Sequence, residues 1–193
     1  MKTILSALLF ISLTTSCLAQ KEISALSDNS LVKAKRIQYH IKKLQKIITI
    51  DNIANKLTNI KQSSPNIPLN ATSFDFYYKN LDLAQIIHIC ADALSLEQIE
   101  EMLKTKNSSI FINIKSNLGG VPLEITFAVD KNSILSLKQI EEIEINIKKQ
   151  IRITFKPEAT RYLKDSNFMV SNPSIWFTDI LKAKKNIPLG KIK

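Results

Sequence analysis

The chain has 193 residues, 45% of them hydrophobic and 23% charged, with a formal net charge of +10. That length and apolar content suit one globular domain with a substantial core and exclude a disordered chain. With only two cysteines, two histidines and three glycines, there is no disulfide framework, no histidine-rich metal motif and no glycine-rich phosphate loop.

Nearly all the basic residues are lysines, with Arg36, Arg152 and Arg161 the only guanidinium groups. Base-reading surfaces favour arginine for its bidentate geometry, so nucleic acid is not an expected partner. The charge fits a protein partner or an anionic envelope surface, against the plainer reading that it keeps the chain soluble.

Residues 1–19 read as an export signal: Lys2 supplies the positive start, Ile4 to Leu13 the apolar stretch, and Thr14 to Ala19 a small-residue cleavage region. This stretch is too short for a spanning helix. Two processing outcomes stay open. Cys17-Leu18-Ala19 suits cleavage before Gln20, whereas Thr15-Ser16-Cys17 resembles the end of a bacterial lipoprotein box, with Thr14 where Leu is usual. Under either outcome the expected location is exported: periplasmic, outer-membrane associated or secreted. Cys90, set in Ile86 to Ala91, is then the only free thiol and reads as a small buried hydrophobe.

Residues 20–62 read as a helical arm. Asp28, Asn29 or Ser30 caps a helix to about Ile48, in which Ile37, Ile41, Leu44 and Ile48 form one stripe and Lys35, Lys42 and Lys46 face away. Asp51 caps a second short helix carrying Ile53, Leu57 and Ile60. The lysine-rich back offers a route to an anionic membrane besides a lipidated Cys17; the plainer reading packs the helix on the sheet. Residues 63–72 form a linker rich in Ser, Pro and Asn.

The body spans residues 73–181. Phe74, Phe76 and Tyr78 alternate as in a strand. Local propensity makes Leu83 to Ala93 a helix, although Ile86, Ile87 and Ile89 are β-branched and also suit a strand. Leu-Ser-Leu-Glu-Gln-Ile-Glu-Glu at Leu94 to Glu101 then recurs as Leu-Ser-Leu-Lys-Gln-Ile-Glu-Glu at Leu135 to Glu142, and the register holds through 94–115 and 135–156. Ser95 with Gln98, and Ser136 with Gln139, make capping boxes that start two helices. Ile110, Ile112 and Ile114 form a strand, Asn117 to Gly120 turns it, and Leu123, Ile125, Phe127 and Val129 return. Ile143 to Ile153 also alternate with period two, but the capping box favours a helix to about Lys149 and a strand from Ile151 to Phe155. Glu158 to Lys164 is a short helix or an edge, Ile175-Trp176-Phe177 closes the sheet, and 182–193 is a basic tail that frays. The expected class is α+β: an N-terminal amphipathic helical arm plus an antiparallel sheet flanked by two capped helices.

Val121 to Ile134, with Phe155-Lys156-Pro157 downstream, resembles the first hairpin of the TonB C-terminal domain family over about a quarter of the chain. The resemblance implies a strand, a Val-Asp-Lys-Asn turn, a second strand and then a helix. Ser133 stands where that turn usually has Gly, and no Gly-x-Pro-Val segment follows the Phe-Lys-Pro.

No catalytic, cofactor or metal site emerges. Glu100-Glu101 and Glu141-Glu142 occupy adjacent helical positions, so each pair diverges by roughly 100° and reads as a solvated face. The aromatic residues Phe74, Phe76, Tyr77, Tyr78, Trp176 and Phe177 are the candidate interaction surface, against ordinary core packing. These features together predict an exported, non-enzymatic binding or assembly protein of a bacterial envelope or secreted milieu. Two alternatives stand beside it: a secreted effector or hydrolase built from scattered residues such as His88, Asp92 and Glu97, and an accessory subunit of a secretion apparatus.

Overall fold

In a computed structural model the described residues are 21–66, 78–105 and 109–189. The export signal, the 67–77 part of the linker and strand region, and the extreme C-terminus lie outside them. Within 28–52, where the helical arm was expected, three strands run as a meander: β1 (Ser30–Lys33), β2 (Gln38–Lys43) and β3 (Ile47–Asn52). The apolar residues here satisfy both periods, since Ile41 and Ile48 lie on the helical stripe and also alternate with Tyr39 and Ile50. The turns decide between them. Ala34 N–H donates to Ile37 O at 2.8 Å and Leu44 N–H to Ile47 O at 2.8 Å, closing two hairpins. The β-branched residues then keep their preferred rotamers on a pleated surface. Asp28, read as a helix cap, instead accepts from Asn29 N at 2.8 Å and Lys43 N at 2.7 Å, tying the start of β1 to the end of β2. The second short helix is also absent: residues 53–60 form turns and bends.

Next come β4 (Tyr78–Asn80), α1 (Leu83–Ala93) and α2 (Leu96–Lys104), then the hairpin of β5 (Ser109–Ser116) and β6 (Pro122–Asp130). The helix reading of Leu83 to Ala93 holds because its apolar residues recur at helical spacing and bury Ile86, Ile87, Ile89 and Cys90 on one side. After β6, the Asp130 to Ser133 turn leads into α3 (Leu137–Gln150) without the second strand the hairpin resemblance implies; Ser136 makes only an isolated bridge to Glu22. The chain finishes with β7 (Thr154–Phe155), α4 (Pro157–Leu163), β8 (Met169–Ser171), β9 (Ser174–Trp176) and α5 (Phe177–Lys184). Pro157 sits in the first turn of α4, where its missing N–H has no intrahelical partner to lose.

Seven strands form one antiparallel sheet in the order β1-β2-β3-β6-β5-β8, with β9 also paired to β5. The fold class is therefore α+β, as expected, with the sheet extended into the N-terminal region. Its inner face carries Tyr39, Ile41, Ile48, Ile50, Ile112 and Phe127, all fully or almost fully buried. α3 packs on β6, α1 and α5 pack on β9 and on each other, and α2 packs on α5. α5 takes the body past 181: Lys184 Nζ donates to Ala91 O at 2.7 Å, so the first residues of the expected tail are anchored on α1.

Both copies of the repeat open with the expected capping box. The copies also touch, since Gln139 Nε2 donates to Gln98 Oε1 at 2.7 Å. Their strands part company, however. β5 sits inside the main sheet, whereas β7 has two residues and pairs with β4 in a separate ribbon.

Candidate binding face

Strand alternation sends the other half of each strand to the opposite face of the sheet, which the helices leave uncovered. Leu31, Ile47, Phe111 and Trp176 are exposed there at 60%, 39%, 39% and 50%. Register places the residues in lanes running across the strands. One lane reads Lys42 on β2, Thr49 on β3, Ala128 on β6, Phe111 on β5 and Ser174 on β9. Because Ser174 pairs with Phe111 and Ser109 with Trp176, Trp176 is the diagonal neighbour of Phe111 on the same face.

The adjoining lane starts at Leu31 and is otherwise polar: His40, Asp51, Thr126 and Asn113. A loop, residues 53–60, is held over it. Asp51 accepts from Asn55 Nδ2 at 2.7 Å, Thr58 Oγ1 at 3.0 Å and Thr126 Oγ1 at 3.0 Å. Glu124 accepts the backbone N–H groups of Lys56 and Leu57, the latter at 2.9 Å. Lys115 Nζ donates to Leu57 O from below and lies over the Phe168 ring at 5.3 Å from its centroid. Both carboxylates and the ammonium are thus committed to bracing the loop. The loop edge at Thr58, the floor at Ala128 and Thr49, and the flank at Ile47 and Phe111 enclose a trough of about 710 Å³. Its size falls within the range of small-ligand sites, and its polar groups are hydroxyls, an amide, the Asp130 carboxylate and the Lys115 ammonium already bonded to Leu57 O.

The N-terminal meander that supplies half of this face is fastened from behind by α3. Glu141 accepts from Lys35 N at 2.7 Å and Arg36 N at 2.9 Å in the β1–β2 turn. Fully buried Glu144 accepts from Tyr39 Oη, Asn52 Nδ2 and Lys148 Nζ at 2.8, 2.8 and 2.7 Å. Burial, followed by the Glu144 charge, pushes the Tyr39 phenol well above its ordinary range. The expectation that Glu141 belongs to a solvated face is overturned: its side chain is 4% exposed. A turn of main-chain donors arriving from outside the helix took the place of water, and helix spacing alone carries no sign of that.

Of the six aromatic candidates, Phe74, Phe76 and Tyr77 lie outside the described residues. Tyr78 begins β4, paired through its backbone with Phe155. Trp176 is exposed on the open face, but Phe177 is fully buried, because the strand becomes a helix between them and the two side chains point apart. Cys90 is buried and free, and desolvation pushes its thiol up to about 12. Cys17 lies outside the described residues. His88, Asp92 and Glu97 are exposed on α1 and α2, and no hydrogen bond joins them. Sequence reasoning missed Phe111 and Lys42. Phe111 stands between two inward isoleucines, so the alternation already marked it as outward, whereas Lys42 was assigned to a helix that does not form.

The result is an open antiparallel sheet backed by helices, with a trough on its free face. The chain is similar in fold to a DUF5043 family protein from Bacteroides uniformis, with a TM-score of 0.64 and 16% sequence identity over 81% of this chain and 89% of that one. No protein-family model and no curated protein matches it.

Proposed function

We propose that the protein is an exported, non-enzymatic binding protein whose open sheet face is its binding surface. The observation that carries this is the trough, where apolar and hydroxyl side chains stand exposed beside a loop that two carboxylates and a lysine hold in place. Asp51 and Glu124 accept four hydrogen bonds from Asn55, Lys56, Leu57 and Thr58 that brace that loop before any ligand arrives, the preorganisation that lowers the ordering cost of binding. Export is supported by Lys2, the apolar stretch Ile4 to Leu13 and the small residues before Gln20. The partner would be an envelope component, either a protein or an anionic polymer, in keeping with the net charge of +10.

The test places a benzophenone photo-crosslinking residue at Thr49, in the trough, and at Glu97, on the helical side, in cells that make the protein. A covalent adduct from Thr49 and none from Glu97 is expected, in the envelope or secreted fraction. Equal labelling from both positions, or a protein confined to the cytoplasm with an intact N-terminus by mass spectrometry, would refute the reading.

A further inference from the structure

We infer that the end of the sheet at the β2–β3 turn docks on an anionic lipid bilayer; this is a second surface, and it stands whether or not the trough holds a ligand. Leu44 N–H donates to Ile47 O at 2.8 Å, so these two residues face each other across the turn, and Leu44, Gln45, Lys46 and Ile47 are all exposed. Alternation from Lys42 and Thr49 sends Leu44 and Ile47 to the open side of the sheet. Ile47 pairs with Asp130, Ser109 borders the same end of the trough, and Ser109 in turn pairs with Trp176. The rim of that end therefore runs from Leu44 to Trp176 over β2, β3, β6, β5 and β9, four steps of about 4.8 Å, or roughly 19 Å. Its two ends are apolar, with Leu44 exposed at 45%, Ile47 at 39% and Trp176 at 50%.

Lysines surround this rim. Lys42 is exposed beside it, Lys46 sits in the β2–β3 turn, and Lys131 is joined to that turn by its N–H to Lys46 O at 3.1 Å. The start of the fold is stitched to the same place: Ser133 N–H donates to Asp130 O at 3.0 Å, Ser24 N–H to Ser133 O at 3.4 Å, and Lys43 Nζ to Ser24 O at 2.8 Å. Lys21, three residues before Ser24, adds a fifth ammonium. The acids at this end are Glu22, Asp28 and Asp130. Asp28 accepts from Lys43 N and Asn29 N, and Asp130 from Asn132 N, so both carboxylates are turned to main-chain donors. Lys21, Lys46 and Lys131 are exposed and make no ion pair among the described residues.

Apolar and cationic side chains interleaved on one rim fit a bilayer surface. Leu44 and Ile47 enter the acyl boundary, the ammonium groups meet headgroup phosphates, and an exposed tryptophan suits the interface between the two. A soluble acidic chain would satisfy the lysines and leave Leu44, Ile47 and Trp176 in water. The N-terminus points the same way. Cys17 precedes Lys21 by four residues, a reach of at most about 14 Å. An acyl group on Cys17 would thus hold this end against the membrane, and not the β1–β2 turn at the other end of β1.

Trp176 is the only tryptophan of the chain, so its fluorescence reports contact with lipid directly. The purified protein is titrated with vesicles of equal parts phosphatidylglycerol and phosphatidylcholine, with vesicles of phosphatidylcholine alone, and with soluble polyglutamate. The anionic vesicles are expected to bind about tenfold more tightly than the neutral ones and to shift the emission to the blue, and lipid brominated on its acyl chains should quench it; polyglutamate leaves the spectrum unmoved. Leu44→Ser should weaken partition onto anionic vesicles about fivefold, and Lys46→Gln with Lys131→Gln about twentyfold, at roughly fivefold for each lysine. Lys149→Gln, near the far end of α3, should change nothing. All variants carry the same N-terminus, so an acyl group contributes equally to each and the differences belong to the rim; circular dichroism confirms that each is folded. Equal partition onto the two kinds of vesicle, no quenching by brominated lipid, or a double lysine variant that binds like Lys149→Gln overturns the inference. A blue shift with polyglutamate that the double variant abolishes also overturns it, in favour of an acidic polymer.

Discussion

Glu141→Ala tests how the open face is held from behind. In the native fold the carboxylate takes the N–H of Lys35 at 2.7 Å and of Arg36 at 2.9 Å, with longer contacts to Ile37 N and Arg36 Nε at 3.4 Å. A hydrogen bond to a charged group contributes about 1.5–3 kcal/mol. Two good ones therefore give about 3 kcal/mol at the lower figure, and the long contacts add little. Lys35 and Arg36 are exposed, so water recovers part of this when the carboxylate goes, leaving an expected loss of about 2–3 kcal/mol. The Arg36 guanidinium is 69% exposed, and an ion pair of that kind contributes less than about 1 kcal/mol; Arg36→Ala should therefore fall within about 0.5 kcal/mol of wild type. Urea unfolding followed by Trp176 fluorescence measures both variants, and hydrogen exchange shows where protection is lost, with residues 30–43 expected to open first in Glu141→Ala. If Arg36→Ala costs as much as Glu141→Ala, the ion pair and not the main-chain nest holds the turn. A Glu141→Ala variant within 0.5 kcal/mol of wild type would refute the reasoning outright.

Gly120 has φ +77, and a Cβ there would lie 1.7 Å from Ile153 O; Gly120→Ala should lose at least about 3 kcal/mol or fail to fold, measured by the same urea titration. Cys90 should resist iodoacetamide at pH 8 in the folded chain and react at once in urea, since it is buried and its thiol is raised to about 12. The folded chain keeps that proton where the unfolded chain, with a thiol near its ordinary 9.0, gives it up. The contribution is therefore whole below pH 9 and drains by about 1.4 kcal/mol per unit as pH rises towards 12. Cys90→Ala should flatten the stability curve between pH 9 and 10, below the range in which Tyr39 adds its own effect. Ser116 Oγ is buried without a hydrogen-bond partner among the described residues, so Ser116→Ala should leave the melting temperature unchanged or raise it, against the fall typical of a buried substitution.

The parts of the fold legible in the sequence were those where a local device and the periodicity agree. Ser95 with Gln98 and Ser136 with Gln139 mark helix starts by chemistry internal to four residues, and both capping boxes form. The β5–β6 hairpin was legible because alternation on both arms meets a turn ending in Gly119-Gly120. The N-terminal meander was hidden by a coincidence of period: Ile37, Ile41, Leu44 and Ile48 trace a helical stripe, while the hairpins are set by closures at Ala34 and Leu44 whose residues carry no strong turn signal. Asp28 is the sharpest case, since the oxygen able to cap a helix serves equally well to bridge two strands. The trough is lined from β3, β5, β6 and the 53–60 loop, segments distant in sequence, and it exists only once register is known. Phe111 could be assigned as outward-facing from its neighbours, but not as lying beside Trp176.

The repeat shows what duplication of sequence does and does not carry into structure. Ile110, Ile112 and Ile114 of the first copy align with Ile151, Ile153 and Phe155 of the second, and all but Phe155 are fully or almost fully buried. Side-chain burial is therefore preserved while pairing is not. In the first copy α2 is followed by a strand eight residues long that finds neighbours on both sides. In the second, Pro157 caps the possible length of the strand, and Ile153 N–H is already given to Gly120 O at 2.9 Å, so two residues remain for β4. The hydrophobic pattern decides which side chains go inward; available hydrogen-bond partners decide whether the backbone becomes a sheet strand. That division explains why one copy builds the floor of the open face and the other builds its support.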